Sequence, residues 1–235
     1  MHWELAIRQL CRANAATLAV WLDEKDSRYL RLSLMLIGVG GAMYGAALGS
    51  WRGDLQSIYV AIKFPLLLCL TALGNALINS MLAQLLGAPI SFRQSLLAVL
   101  MSFALLAVIL GAFAPVAGFI VLHLPSLGSS GQVLGYDFYI LLNVALIIFA
   151  GVIANSQLYR LLAHVCKSQI QAKQILTAWL AVNLFLGAQI SWNLRPFFGT
   201  PHLEVKFLRA NPFDGSFYEA IFYIVVNRIG NKNHE

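Results

Sequence analysis

Charge is what this chain has least of. Asp, Glu, Lys and Arg together make up 11% of its 235 residues, against about 25% in a soluble domain. A soluble fold built from it would have an implausibly dry surface. Apart from Lys63, which reads as lying near an edge, the long apolar runs hold no ionisable residue at mid-membrane depth. Coupled transporters and intramembrane proteases use such groups, and these cost enough in lipid to stand out. The motifs of hydrolytic and nucleotide chemistry are missing too: there is no H-E-x-x-H, G-x-S-x-G, P-loop or C-x-x-C. Ser102 and His123 share one helical stretch about six turns apart, too far for a dyad. Cysteine is scarce, and Cys11, Cys69 and Cys166 form neither a metal-ligand spacing nor a disulfide framework. Cys69 lies inside a span, where it serves as a small hydrophobe. No catalytic, metal or cofactor-binding residue is expected. A cleavable signal peptide is also missing, since residues 1–29 lack a small-residue cleavage site after a short apolar run. The first span is expected to stay as an anchor.

What fills the chain instead is hydrocarbon: 59% of residues are hydrophobic and the mean hydropathy is +0.73. Residues 30–49, 58–84, 94–123, 136–159 and 172–193 are long, apolar and almost uncharged. About 20 apolar residues in a helix cross a roughly 30 Å hydrocarbon core. Barrel strands are about ten residues long and alternate, so these unbroken runs are helices. The expected fold is an all-α polytopic bundle of about five transmembrane helices over 30–193. Residues 1–29 precede it as a cytoplasmic or interfacial segment, and 194–235 follow as a tail.

Within the N-terminal segment, Trp3, Ile7, Leu10, Leu18 and Trp21 recur at near-helical spacing. This predicts one amphipathic helix over 3–22 lying on the membrane. Gly41, Gly45 and Gly49 form a small-xxx-small ladder on the first span, suited to close helix packing within the bundle. The second span reads as opening at Lys63-Phe64-Pro65, where a first-turn proline costs no hydrogen bond. Asn75 and Asn79 share a face deeper in that span and are expected to bond neighbouring helices. Ser91 and Gln94 form a capping box that starts the third span. Gly111, Pro115 and Gly118 predict a kink or local unwinding. Ser216 to Val226 resembles a short amphipathic or re-entrant helix, too short to span alone.

Lys and Arg near the span ends set orientation. Arg8, Arg12, Lys25, Arg28, Arg31, Arg93, Arg160, Lys167 and Lys173 fall on the N-terminal side of the membrane. The opposite loops hold Arg52, with Lys63 at the edge. This predicts a multi-pass inner-membrane protein with a cytoplasmic N-terminus and the C-terminus on the opposite side. The tail's Arg195, Lys206, Arg209, Arg228 and Lys232 run against that distribution. The net charge of +6 is read as topology-setting, with no basic module for nucleic acid.

One membrane edge gathers Trp51, Arg52, Asp54, Lys63, Asp137, Trp192, Arg195 and Glu204. Interfacial anchoring, with Arg195 paired to Asp137 or Glu204, is the structural use. Binding of a lipid headgroup or partner through Arg52, Lys63, Trp192 and Arg195 is the functional one.

Several segments carry a family likeness: Lys63-Phe64-Pro65-Leu-Leu-Leu; Leu86-Gly87-Ala88-Pro89-Ile-Ser91-Phe92-Arg93-Gln94; Leu110-Gly-Ala-Phe-Ala-Pro115-Val; Arg195-Pro-Phe-Phe-Gly199-Thr-Pro201; and Phe217-Tyr218-Glu219. Over about two thirds of the chain it resembles the bacterial branch of the Yip/Yif group of five-span membrane proteins. The acidic-Leu-Tyr-Gly-Pro signature of eukaryotic members is absent, and with it the warrant for their trafficking and Rab-binding role. The resemblance implies a five-helix bundle with a cytoplasmic N-terminus, no catalytic chemistry and an accessory or scaffolding role. Membrane lipids and an integral membrane partner, or a second copy, are the expected partners. A small transporter lined by Asn75, Asn79, Asn143, Asn183 and Gln189 is one rival. A lipid-binding or lipid-modifying protein, with Asp137, His202 and Glu204 as its available groups, is the other.

Overall fold

The computed structural model describes residues 3–12, 14–24, 26–125, 132–198 and 204–220. The elements among them are helices: α1 (Trp3–Arg12), α2 (Ala15–Asp23), α3 (Arg28–Gly49), α4 (Asp54–Leu85), α5 (Phe92–His123), α6 (Gln132–Val165) and α7 (Gln169–Leu194). A 3-10 turn, Ser50–Arg52, joins α3 to α4. The five helices α3 to α7 are each long and apolar enough to cross a membrane, and the chain is an all-α polytopic bundle. Lys25, His202, Arg228 and Lys232 lie outside the described residues, as do the side chain of Trp3, the segment Gly199 to Pro201 and residues 221–226 of the expected tail helix. The starts of α3, α5 and α7 share one end of the bundle, here the near end. The starts of α4 and α6 share the other, the far end.

The bundle is built on α3, and missing side chains place its neighbours. A Cβ on Gly40 would strike the Ala107 carbonyl of α5, and one on Gly111 would lie 2.9 Å from the Gly40 Cα. The two backbones therefore touch. On its α4 side, Gly41 faces Pro65, Gly45 the Val60 carbonyl and Gly49 the Gln56 carbonyl. The expected ladder thus packs inside the bundle, while the Gly40–Gly111 crossing was not foreseen. Where lipid is as apolar as leucine, close backbone approach supplies the dispersion energy that holds helices together. α6 joins through polar bonds. Tyr44 donates to Asn143 Oδ1 at 2.7 Å, Tyr139 to the Ala47 carbonyl at 2.6 Å, and Ser102 to the Ala154 carbonyl at 3.1 Å.

Three expectations need correction. The N-terminal segment is two helices, because the Asn14 side chain accepts from Ala16 N and Thr17 N and so starts α2 afresh. Their apolar faces meet protein: Leu10, Leu18 and Trp21 are buried, and Trp21 stacks on Tyr29 with ring centroids 4.1 Å apart. Arg93 fixes the end of α2 by donating to the carbonyls of Leu22, Glu24 and Asp26. Second, α4 starts at Asp54, so Lys63 and Pro65 lie in its interior. The amphipathic turns Asp54 to Val60 hid that start from a search for apolar runs. Third, α5 is not unwound, since it remains helical through Gly111, Pro115 and Gly118. The Ser91–Gln94 capping box is formed with both of its bonds.

Candidate binding site at the far end

α4 and α7 run antiparallel, and a polar stripe lines their seam. Gln56, Lys63, Thr71, Asn75 and Asn79 of α4 are all buried. Their spacing of mostly four or seven residues keeps them on one slowly turning face. Each meets α7 or the chain just beyond it. The Trp179 indole donates to the Asn79 carbonyl at 2.8 Å, and Asn75 donates to Asn183. Gly187 lies against Thr71. Lys63 Nζ donates to the Pro196 carbonyl at 3.1 Å, and Gln56 Nε2 to the carbonyls of Pro196 and Phe197 at 3.1 and 2.9 Å. Asn75 thus bonds a neighbouring helix through its side chain, as expected, whereas Asn79 does so only through its backbone carbonyl and neither atom of its side-chain amide is bonded. The other amides go elsewhere: Asn143 bonds Tyr44 of α3, and Gln189 accepts from Phe217 N of the tail.

Gln56 and Lys63 pin residues 196–198 over the far end of α4. The tail crosses Lys63, with the Phe207 ring centroid 4.9 Å from Nζ and T-shaped against Tyr59. It then turns back along α7. Ser216 and Glu219 cap a new helical turn reciprocally, and the Tyr218 hydroxyl donates to the Phe185 carbonyl at 2.6 Å. This first turn runs beside α7. Ser216-x-x-Glu219 is a capping-box spacing that sequence reading passed over.

Beneath the folded-back tail lies a cavity of about 410 Å³ between α4, α6 and α7. Its polar groups are Tyr136, Ser191, Trp192, Arg195 and Arg209, and its apolar wall includes Leu48, Phe64, Leu67, Ile147 and Phe217. Arg195 follows the last residue of α7, and its guanidinium lies over the Trp192 ring, 3.3 Å from the centroid. Stacking fixes the plane of the guanidinium and leaves its edge for other partners. Among the described residues that edge has none. Arg195 Nε and Nη1 and Trp192 Nε1 are buried donors without an acceptor. Partial burial, and then the like charge of Arg209, lower the Arg195 pKa from its ordinary value. Both effects mark positive charge without a compensating carboxylate. Among the described residues no Asp or Glu lines the cavity.

The expected pairing of Arg195 with Asp137 or Glu204 is therefore corrected: Glu204 pairs with Lys206 at 3.0 Å, and Arg195 stacks instead. Of the four candidate binding residues, Trp192 and Arg195 line the cavity together. Lys63 lies beside it under Pro196, and Arg52 occupies the 3-10 turn at the same end without lining it. Arg209 and Tyr136 were not singled out as site residues: only the folded tail brings Arg209 there, and Tyr136 reaches the cavity from the first turns of α6. Among the described residues no three of His, Cys, Asp and Glu lie close enough to hold a metal ion. Compared with known proteins, the chain matches no family model, no curated protein and no solved structure.

Proposed function

We propose that this is a membrane-embedded binding protein whose far-end cavity holds an anionic group between Arg195 and Arg209. One observation carries the reading: Arg195 and Trp192, which line the cavity with Arg209, hold three buried donors without acceptors, and no Asp or Glu is among the described residues of its wall. Buried polar groups in folded proteins are paired, and the exceptions call for a reason. A bound phosphate or carboxylate supplies one, since an ionised oxygen accepting from a guanidinium N–H makes a strong, charge-assisted hydrogen bond. The reading also accounts for a conflict in the charge distribution. Arg195 and Arg209 sit on the side where the topology rule wants few cations, and a ligand-binding role explains their presence there.

The test is thermal stability in lipid nanodiscs. Replacing part of a phosphatidylcholine bilayer with phosphatidylglycerol is expected to raise Tm, and Arg195→Gln to remove the rise. A Tm that ignores lipid charge, or a rise that survives Arg195→Gln, would overturn the reading.

A scaffold or accessory-subunit role is the second reading. It is favoured by α1 and α2, which Gln157 and Arg93 bond to the bundle while Leu5 and Val20 stay exposed outside the spans. The Yip/Yif resemblance points the same way, toward a component without chemistry of its own. Isolation from the native membrane in mild detergent, with mass spectrometry of what accompanies the chain, tests it. A stoichiometric protein partner supports it, and recovery of the chain alone counts against it.

A further inference from the structure

The far-end cavity is polar at one pole and apolar at the other. Tyr136 and Ile147 both line it and stand eleven residues apart on α6. Eleven residues are about three turns, so the two share a face and lie about 16 Å apart along the membrane normal. Arg195 and Arg209 accompany the Tyr136 pole. Leu67 and Ile147 lie more than a dozen residues inside their helices, counted from Asp54 and Gln132. A soluble anion would use only the first pole. The second offers it no partner, and apolar wall of this kind is favourable only for hydrocarbon. The slot thus has the length and polarity of the outer half of a lipid: a charged headgroup, then a chain.

Resting on the anion-binding reading above, we propose that the occupant is a phosphate-bearing lipid. Its headgroup meets the Arg195 edge, and one acyl chain lies along α6 from Tyr136 to Ile147. At about 410 Å³ the cavity is within the usual range for ligand sites. It takes a headgroup and the upper part of one chain, and leaves the rest of the lipid in the bilayer. The aromatic groups fit this division. Trp192 and Tyr136 stand at headgroup level, where amphipathic rings are placed in membrane proteins, and Phe64 and Phe217 flank the chain.

The experiment uses the full chain and one headgroup on two tails. Purified protein in phosphatidylcholine nanodiscs receives a few mole per cent of phosphatidylglycerol carrying a photoreactive group near the middle of one acyl chain. Cross-links are expected at or beside Ile147 and Leu67, with the yield reduced about tenfold by Arg195→Gln, as for loss of a contact of about 1.4 kcal/mol. In parallel, detergent-solubilised protein is titrated with dihexanoyl-phosphatidylglycerol and with inorganic phosphate, following Tm. Ile147→Trp fills the chain slot. It is expected to abolish the long-chain cross-link while keeping protection by the dihexanoyl lipid, which also shows that the variant folds. Leu67→Trp is the independent second block.

If the long-chain cross-link is indifferent to both Trp variants while Arg195-dependent protection remains, the chain slot is wrong and the anion site stands. If inorganic phosphate protects as well as the lipids do, the ligand is a soluble anion and the lipid proposal falls. If no probe gives an Arg195-dependent response, both readings fall together.

Discussion

Lys63 shows at a single residue how this chain trades stability for position. Its ammonium is fully buried, and its partners among the described residues are the Pro196 carbonyl and the Phe207 ring. An ammonium taken out of water without a carboxylate costs several kcal/mol before any bond is made. Lys63→Met keeps the stem and removes the charge. The expected outcome is a fold as stable or more stable, by about 1–4 kcal/mol, measured by reversible unfolding in mixed micelles. The tail, having lost one of its two pins, should become easier to cleave near Pro196 while Gln56 still holds it. A large loss of stability would mean that Lys63 has an anionic partner when bound in the membrane. The depth of Lys63 was not legible in the sequence. An apolar-run search begins a span where polar residues stop, whereas α4 begins at Asp54, in amphipathic turns that the 3-10 turn and the tail cover.

Among the elements, two contacts invite paired substitutions. Gly38 and Gly40 are neighbours on α3, but a Cβ on Gly38 meets nothing within 4 Å and one on Gly40 meets the Ala107 backbone. Gly40→Ala is therefore expected to cost about 1–3 kcal/mol by forcing α3 and α5 apart. Gly38→Ala should be neutral or slightly stabilising, as Ala is the better helix former. Equal effects would show that the crossing is not tight. The second contact is the α4–α7 seam. Asn79 is buried with neither atom of its amide bonded, whereas Asn75 bonds Asn183. Asn79→Leu should then stabilise the bundle. Asn75→Leu should destabilise it by about 0.6–2 kcal/mol, with part recovered in Asn75→Leu/Asn183→Leu, a coupling that a double-mutant cycle reads directly. The elements themselves were largely legible. The five spans, the Ser91–Gln94 cap and the glycine ladder follow from composition and spacing alone. Asn14 was legible only as a polar residue, because an N-cap inside an amphipathic pattern looks like one more residue of its polar face.

For the molecule as a whole, the near end holds Cys11 and Cys166, and Cys69 lies within α4. With the near end cytoplasmic, as the distribution of Lys and Arg predicts, a membrane-impermeant maleimide should label Cys11 and Cys166 only after permeabilisation. Labelling from outside would reverse the orientation. Burial raises both thiol pKa values above the ordinary one. The thiolate fraction at neutral pH is therefore below that of a free thiol, and labelling should quicken as pH rises toward the raised pKa. The far-end cavity was the part the sequence did not disclose. Trp192 and Arg195 could be named, but Arg209 reaches them only because the tail doubles back over α4, and no local spacing encodes that return.

The α4–α7 seam also bears on how the chain is made. Translation delivers α4 long before α7, so Gln56, Lys63, Thr71, Asn75 and Asn79 enter the bilayer while the helix that will cover them is still unsynthesised. Through the birth of α5 and α6 this stripe must be shielded by the insertion machinery or by a chaperone. A nascent chain stalled or truncated before Gln169 keeps it bare to lipid, which is the kind of feature membrane quality control uses to mark orphans for destruction. The arrival of α7 is what covers Asn75 and Asn79, so a chain truncated before Gln169 is expected to be cleared faster than the full chain in a pulse-chase.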